Sequence, residues 1–170
     1  MLSKQSLAQI DREIAKYPPE RKSSAVMAAL RIGQEEHGWL SVPLMDYVAE
    51  LLGMRPIQVY EVASFYSMYD LKPVGKHKIS VCTNISCMLC GSDAIVKHLE
   101  QRLGIKLGQT TADKKFTLKE VECLAACGSG PMMQINEDYY EHLTLAKVDQ
   151  ILEDLKRDGK SSLATQKFRL

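Results

Sequence analysis

Five cysteines, Cys82, Cys87, Cys90, Cys123 and Cys127, carry the reactive potential of this 170-residue chain. Cys82 and Cys87 stand in C-T-N-I-S-C with four residues between them, and Cys123 and Cys127 stand in C-L-A-A-C with three between. Four thiolates delivered by two loops suit a rhombic Fe2S2 core, in which each iron takes two cysteines. Thr83, Asn84 and Ser86 are small and polar, and Gly128-Ser129-Gly130 lets the backbone approach closely. Successive N–H groups in such loops form concavities that stabilise a cluster's negative charge and raise its reduction potential.

Other assignments of the same residues stay open. Cys82, Cys87 and Cys90 also read C-x4-C-x2-C, the plant-type ferredoxin spacing, which would make Cys90 a ligand and leave Cys123 or Cys127 spare. Two features weigh against it. A helix begins right after Cys90, where one long wrapping loop would be needed, and the strand that delivers Cys123 brings Cys127 almost beside it. In the paired assignment Cys90 is by default a small buried hydrophobe. Four cysteines also satisfy tetrahedral zinc, although structural zinc sites more often use two-residue gaps. Cys87-Met88-Leu89-Cys90 ahead of a helix has the spacing of a thiol oxidoreductase, but that leaves Cys82, Cys123 and Cys127 without a role.

The elements that must position these loops follow from hydrophobic periodicity. K-I-S-V-C alternates as a strand, with Ile79 and Val81 on one face, and ends on Cys82. S-D-A-I-V-K-H-L-E-Q-R-L-G-I is a helix with Ile95, Leu99 and Leu103 in line. F-T-L-K-E-V-E-C is a second strand ending at a cysteine, and P-M-M-Q-I-N a third, with Pro131 at its start where a proline is tolerated. Y-Y-E-H-L adds an edge. T-L-A-K-V-D-Q-I-L-E-D-L-K-R-D-G closes as a helix with Leu145, Val148, Ile151, Leu152 and Leu155 facing inward. Before the turn-rich K-P-V-G-K, four short helices imply a bundle. Leu7, Ile10 and Ile14 mark the first, and S-S-A-V-M-A-A-L starts the second on a serine cap. Ser41, Pro43 and the stripe Leu44, Val48, Leu51, Leu52 make the third. The fourth, R-P-I-Q-V-Y-E-V-A-S-F-Y-S-M-Y-D, is aromatic-rich, and Tyr60, Phe65, Tyr66, Met68 and Tyr69 suggest part of a subunit interface as well as core. The fold class expected is α+β. A helical bundle over residues 1–74 is followed by an α/β domain over 75–160 and a loose tail over 161–170.

Composition narrows the function. Twenty-two basic against twenty-one acidic residues leave no global field to attract nucleic acid or an anionic membrane. No apolar run approaches the roughly 20 residues of a membrane span, so no direct span is expected. The N-terminus carries Asp11 and Glu13 early and reads neither as a signal nor as a transit peptide, so a cytoplasmic protein with reduced cysteines is expected. His37, His77, His98 and His142 stand beside no cysteine and read as surface or interface residues, not as Rieske ligands. No G-x-G-x-x-G or G-x-x-x-x-G-K-[ST] loop is present, so NADH and flavin belong to a partner. A one-electron cluster needs such a flavoprotein to meet hydride chemistry.

C-T-N-I-S-C, C-L-A-A-C-x-x-x-P and M-M-Q-I-N-x-x-Y-Y-E-x-L-T, with K-Y-P-P-E-R-K-S-S-A-V-M-A-A-L, E-E-H-G-W-L-S and V-A-S-F-Y-S-M-Y before them, resemble a known family. It is that of the thioredoxin-like 2Fe–2S ferredoxin subunits of respiratory NADH-quinone oxidoreductase (complex I). The resemblance runs from about Ser6 to Leu155. It implies a thioredoxin-like domain behind the helical bundle and the cluster ligands Cys82, Cys87, Cys123 and Cys127. It also implies a place at the nucleotide-oxidising end of the complex, peripheral on the cytoplasmic side of the bacterial inner membrane. The partners implied are an FMN- and NADH-binding flavoprotein subunit and further iron–sulfur subunits. A close variant docks the same module into an NAD-dependent formate dehydrogenase or NAD-reducing hydrogenase. The chain departs from the family at Cys90, where arginine is usual, and at Ala125, where glycine is frequent. Ala125 adds one methyl to a tight loop, which is tolerated if its φ is negative.

Overall fold

The computed structural model describes residues 1–167, with the side chains of residues 158 and 167 left aside. The chain divides into two compact units, Met1–Pro73 and one beginning at Val74.

The first unit is helical. Helices α1 (Lys4–Ile14), α2 (Val26–His37), α3 (Val42–Leu52) and α4 (Pro56–Phe65) enclose a core that includes Ile10, Leu30, Leu40, Val48, Leu52 and Val59. The serine cap expected for α2 is absent. Ser23 and Ser24 lie in a 3-10 turn (Pro19–Ala25), and Ala25 caps the helix with no side-chain bond. Gly38 and Gly53 end α2 and α3 with φ of 80° and 63°, the left-handed stop that glycine adopts without a Cβ penalty. The segment after α4 is held back onto α2, because the Gln34 side chain donates to Met68 O at 3.0 Å and accepts from Asp70 N at 2.6 Å. Of the aromatic set, Tyr69 is buried whereas Phe65 is 79% exposed.

The second unit carries a five-stranded sheet in the order β2-β1-β3-β4-β5. The strands are β1 (His77–Cys82), β2 (Phe116–Val121), β3 (Met133–Ile135), β4 (Asp138–Tyr140) and β5 (Gln166–Lys167). β1 and β2 run parallel, with Cys82 opposite Val121, and the remaining pairings are antiparallel. Parallel neighbours need a crossover, and it consists of α5 (Ile85–Leu89) and α6 (Ser92–Leu103). Helix α7 (Leu145–Asp158) completes the unit. Ile79, Val81, Phe116 and Leu118 pack with Ile95 and Leu99 of α6 and with Val148, Ile151, Leu152 and Leu155 of α7. The period of two along a strand sends the alternate residues elsewhere, and Cys82 joins Cys87, Met132 and Tyr139 in a separate small cluster.

Three expectations change here. Leu145, expected to face inward, is 46% exposed at the first turn of α7. Part of the segment read as a tail is an edge strand, since Gln166 pairs with Tyr139 and Thr165 donates to Tyr139 O through N–H and hydroxyl. The bonds involved are to backbone, which an apolar pattern does not report; residues 168–170 lie outside the described residues. His77, read as a surface or interface residue, is buried with its ring 5.3 Å from that of Phe116.

Burial, helped by the neighbouring Lys76 charge, holds the His77 imidazole below its ordinary pKa. The unfolded chain therefore takes up a proton near pH 6.5 that the folded chain refuses. His77 favours the folded state fully above that pH, and stability declines as pH falls below it. Melting curves between pH 7.5 and 5.5 should show a downward shift that His77→Phe makes smaller. An equal shift in both proteins would refute the assignment.

Candidate metal centre

The parallel pair β1 and β2 aims two loops in the same direction. Cys82 is the last residue of β1, and Cys87 follows within the short helix α5, whose first N–H is bonded by Asn84 Oδ1 at 2.6 Å. Cys123 comes two residues after β2, and Cys127 opens a 3-10 turn (Cys127–Ser129). Cys82 and Cys87 are 3% and 1% exposed, whereas Cys123 and Cys127 are exposed. All five cysteines are free thiols.

The sulfurs bear on one another. Burial first, and then a hydrogen bond with Cys82 and its charge, push the Cys87 thiol up to about 11; Cys127 adds in the same direction. A backbone hydrogen bond from Met132 works the other way. Gly130 closes the gap between the loops. A Cβ at that position would stand 3.3 Å from Cys87 Sγ and 3.6 Å from Cys90 Cβ, tight enough to explain why no side chain is carried there. Ala125 donates its N–H to Cys123 Sγ at 3.3 Å, the kind of N–H···S bond that neutralises a thiolate.

The Cys123–Cys127 loop is held at several points. Tyr139 donates its hydroxyl to Leu124 O at 2.9 Å, and burial followed by the Cys123 and Glu141 charges raises the pKa of that phenol. Ser129 shares its one hydroxyl proton between Glu141 Oε1 and Ala126 O, and its carbonyl accepts from His142 N at 2.8 Å. The Ser129 bond, ahead of one from Thr165, holds the Glu141 carboxyl below its ordinary range. Gly130 lies in the glycine-rich stretch expected to approach the cysteines closely, whereas the spacing of residues gives no signal for Tyr139 and Glu141 as site residues. Their role comes from the register of β4 against β3, Met133 opposite Tyr140.

One further expectation fails, and one condition is not met. Cys90 is exposed, not buried. Ala125 has a φ of +58°, not negative. A left-handed alanine costs roughly 1–2 kcal/mol that glycine avoids. Ala125→Gly should raise the stability of the metal-free chain by roughly 1 kcal/mol, less the entropy glycine adds to the unfolded chain; a denaturant midpoint that falls would refute the strain.

The donor set fits a binuclear cluster. Four thiols come two by two from neighbouring strand ends, two of them shielded from water, with N–H donors on sulfur.

A helical unit followed by a mixed sheet whose parallel strands end in cysteine pairs is the plan of a thioredoxin-like iron–sulfur carrier. The chain belongs to the thioredoxin-like [2Fe-2S] ferredoxin family, whose model matches residues 10–156. It is 50% identical over 156 residues to the E subunit of NADH-quinone oxidoreductase from Rickettsia conorii, covering 91% of this chain and 93% of that protein. It is 46% identical over 148 residues to the E 2 subunit of the same enzyme from Rhizobium meliloti, covering 87% of each. Its fold is similar to part of a crystal structure of NAD+-reducing [NiFe]-hydrogenase in the H2-reduced state. That match has a TM-score of 0.66 and 21% identity, over 76% of this chain and 22% of the hydrogenase chain.

Proposed function

We propose that this chain is an electron-transfer subunit of the NADH-oxidising module of a respiratory NADH-quinone oxidoreductase. It holds one 2Fe–2S cluster on Cys82, Cys87, Cys123 and Cys127 and exchanges electrons with the FMN of a partner flavoprotein that binds NADH. The observation that supports the reading is a cysteine pair on each of the loops that follow the parallel strands β1 and β2, in a chain 50% identical to an NADH-quinone oxidoreductase subunit over nearly its whole length. Bound there, the cluster supplies one-electron redox chemistry. The chain's own residues do the rest. Cys82 and Cys87 anchor the site on its dry side, Cys123 and Cys127 on its open side, and Ala125 N–H disperses charge on Cys123. The Tyr139 and Ser129 bonds keep the second loop in register with the first.

Further iron–sulfur subunits complete the proposed assembly, which lies on the cytoplasmic side of the inner membrane. No described helix is long and apolar enough to cross a membrane, and the membrane part of the enzyme would be other subunits. In this proposal residues 75–160 are the cluster domain, residues 1–74 a bundle for assembly, and 161–170 a terminal extension. The relatives at 46–51% identity favour this host over a hydrogenase, for which the likeness extends to the fold.

The test is metal analysis and spectroscopy of the purified chain. Two irons and two sulfides per chain are expected, reducible by dithionite alone but by NADH only when the flavoprotein partner is added. Stoichiometric zinc, or reduction by NADH without the partner, would overturn the reading.

A further inference from the structure

At the end of β1 away from the cysteines, a cavity of about 220 Å³ is lined by Lys76, His77, Lys115 and the last turn of α7 with Leu155, Lys156 and Arg157. His77 opens β1 and Cys82 closes it, a separation of roughly 16 Å at the rise of a strand. Lys76, Lys115, Lys156 and Arg157 bring four cations from three segments, and among the described residues no carboxylate lines the cavity. The register sets His77 opposite Phe116, which puts Lys76 beside Lys115. Lys76 Nζ lies 3.4 Å from where a Cβ on Gly159, just past α7, would stand. Part of this gathering has an ordinary cause. A helix C-terminus favours cations, and Lys156 and Arg157 pair with Glu153 and Asp154 at 3.5 and 3.3 Å. Neither reason covers Lys76 and Lys115, whose side chains form no ion pair within 4.0 Å among the described residues. Asp113, the carboxylate near Lys115, accepts from the Thr111 hydroxyl and from Lys115 N–H. His77 is 5% exposed, and among the described residues its ring nitrogens have no hydrogen-bond partner, although buried polar groups normally find one. The Lys76 charge bears on that ring.

We propose that this cavity binds a small multivalent anion of the phosphate type. Like charges gathered around a space with no carboxylate in its lining repel one another, and a polyvalent anion replaces that repulsion with attraction. Phosphate oxygens accept charge-assisted hydrogen bonds from ammonium and guanidinium groups together. The imidazole nitrogen that carries the proton is a further donor, and the bound anion would give it the partner it lacks. The C-terminus of α7 opposes an anion with about half a negative charge, which is less than the four cations supply. The site lies wholly within the second unit and is independent of the electron-carrier reading.

The experiment titrates the purified full chain with phosphate, pyrophosphate and chloride at one ionic strength, following the ring protons of its four histidines by NMR. The His77 signals should shift saturably with phosphate and at lower concentration with pyrophosphate, and chloride should not move them. Those of His37, His98 and His142 should stay in place. Lys76→Gln should weaken phosphate binding about tenfold, the scale of one charge-assisted hydrogen bond, and Lys115→Gln should do the same from another element. Lys16→Gln, which removes a charge from the first unit, should leave the affinity unchanged. Phosphatidylglycerol vesicles separate the sources of the ligand: sedimentation with them that is lost in Lys76→Gln assigns a lipid phosphate, and a chain left in solution assigns the free ion. An unmoved His77 overturns the proposal. So does a shift that chloride reproduces, or an equal loss of affinity in Lys16→Gln, because either outcome is general screening by salt and not a site.

Discussion

Cys127→Ala should remove the 2Fe–2S spectrum expected of the purified chain, while Cys90→Ser should leave it in place. Both residues are exposed cysteines close to Cys87, so distance alone does not separate them. Their settings do. Cys90 is the C-cap of α5, with its N–H already bonded to Ser86 O, and Gly91 then turns the chain into α6 with a φ of 95°. Among the described residues no hydrogen bond holds its side chain. Cys127 lies in a loop tied down by the Ser129, Glu141, His142 and Tyr139 bonds, and its charge reaches Cys87. Alanine is the better test because serine would leave an oxygen donor behind. Loss of a direct ligand should lower bound iron by at least about tenfold, since even outer partners of metal ligands carry 10–100-fold in affinity. Iron analysis and the EPR signal of the reduced protein give the answer. A cluster that survives Cys127→Ala and fails in Cys90→Ser would reassign the ligands to the three-cysteine loop.

Leu118→Ala should cost roughly 2–5 kcal/mol, the range for truncating a fully buried leucine and leaving a cavity. Leu118 is 0% exposed and packs with Ile79 and Leu99, pinning β2 against β1 and α6. The neighbourhood collapses poorly into a gap. Gly75, just before β1, has its N–H on Thr117 Oγ1 at 2.6 Å and lies so near Phe116 that an added Cβ would stand 2.8 Å from its carbonyl carbon. A loss of that size is a large share of the roughly 5–15 kcal/mol that stabilises an ordinary domain. Because β2 delivers Cys123, the variant should also retain less cluster at 37 °C than at 10 °C, read by visible absorbance. A denaturant midpoint within experimental error of the wild type would show that β2 is not held through this residue.

The apolar period was enough to place most elements. Ile79 and Val81 alternate, Ile95, Leu99 and Leu103 recur at helical spacing, and both patterns reappear in β1 and α6. The strand ends at Cys82 and just before Cys123 follow from the same alternation, and so do the two cysteine loops. Three of the differences share a cause. The 3-10 turn before α2, the edge strand at Gln166–Lys167 and the left-handed Ala125 are set by backbone hydrogen bonds and dihedral angles, which leave no side-chain pattern to read. α5 was hidden because its stripe of Ile85, Met88 and Leu89 faces out and only Cys87 faces in.

The donor chemistry is legible in the linear chain: four cysteines in two close pairs, on strand ends, within uncharged segments and without a nucleotide loop. Folding is what puts Cys82 and Cys87 in the dry interior and leaves Cys123 and Cys127 on the open side. Folding also brings Tyr139 and Glu141, distant in sequence, to brace the second loop, and buries His77. Residue types and periods are local quantities. Burial, strand register and the partner of a hydroxyl depend on segments brought together from far apart in the chain.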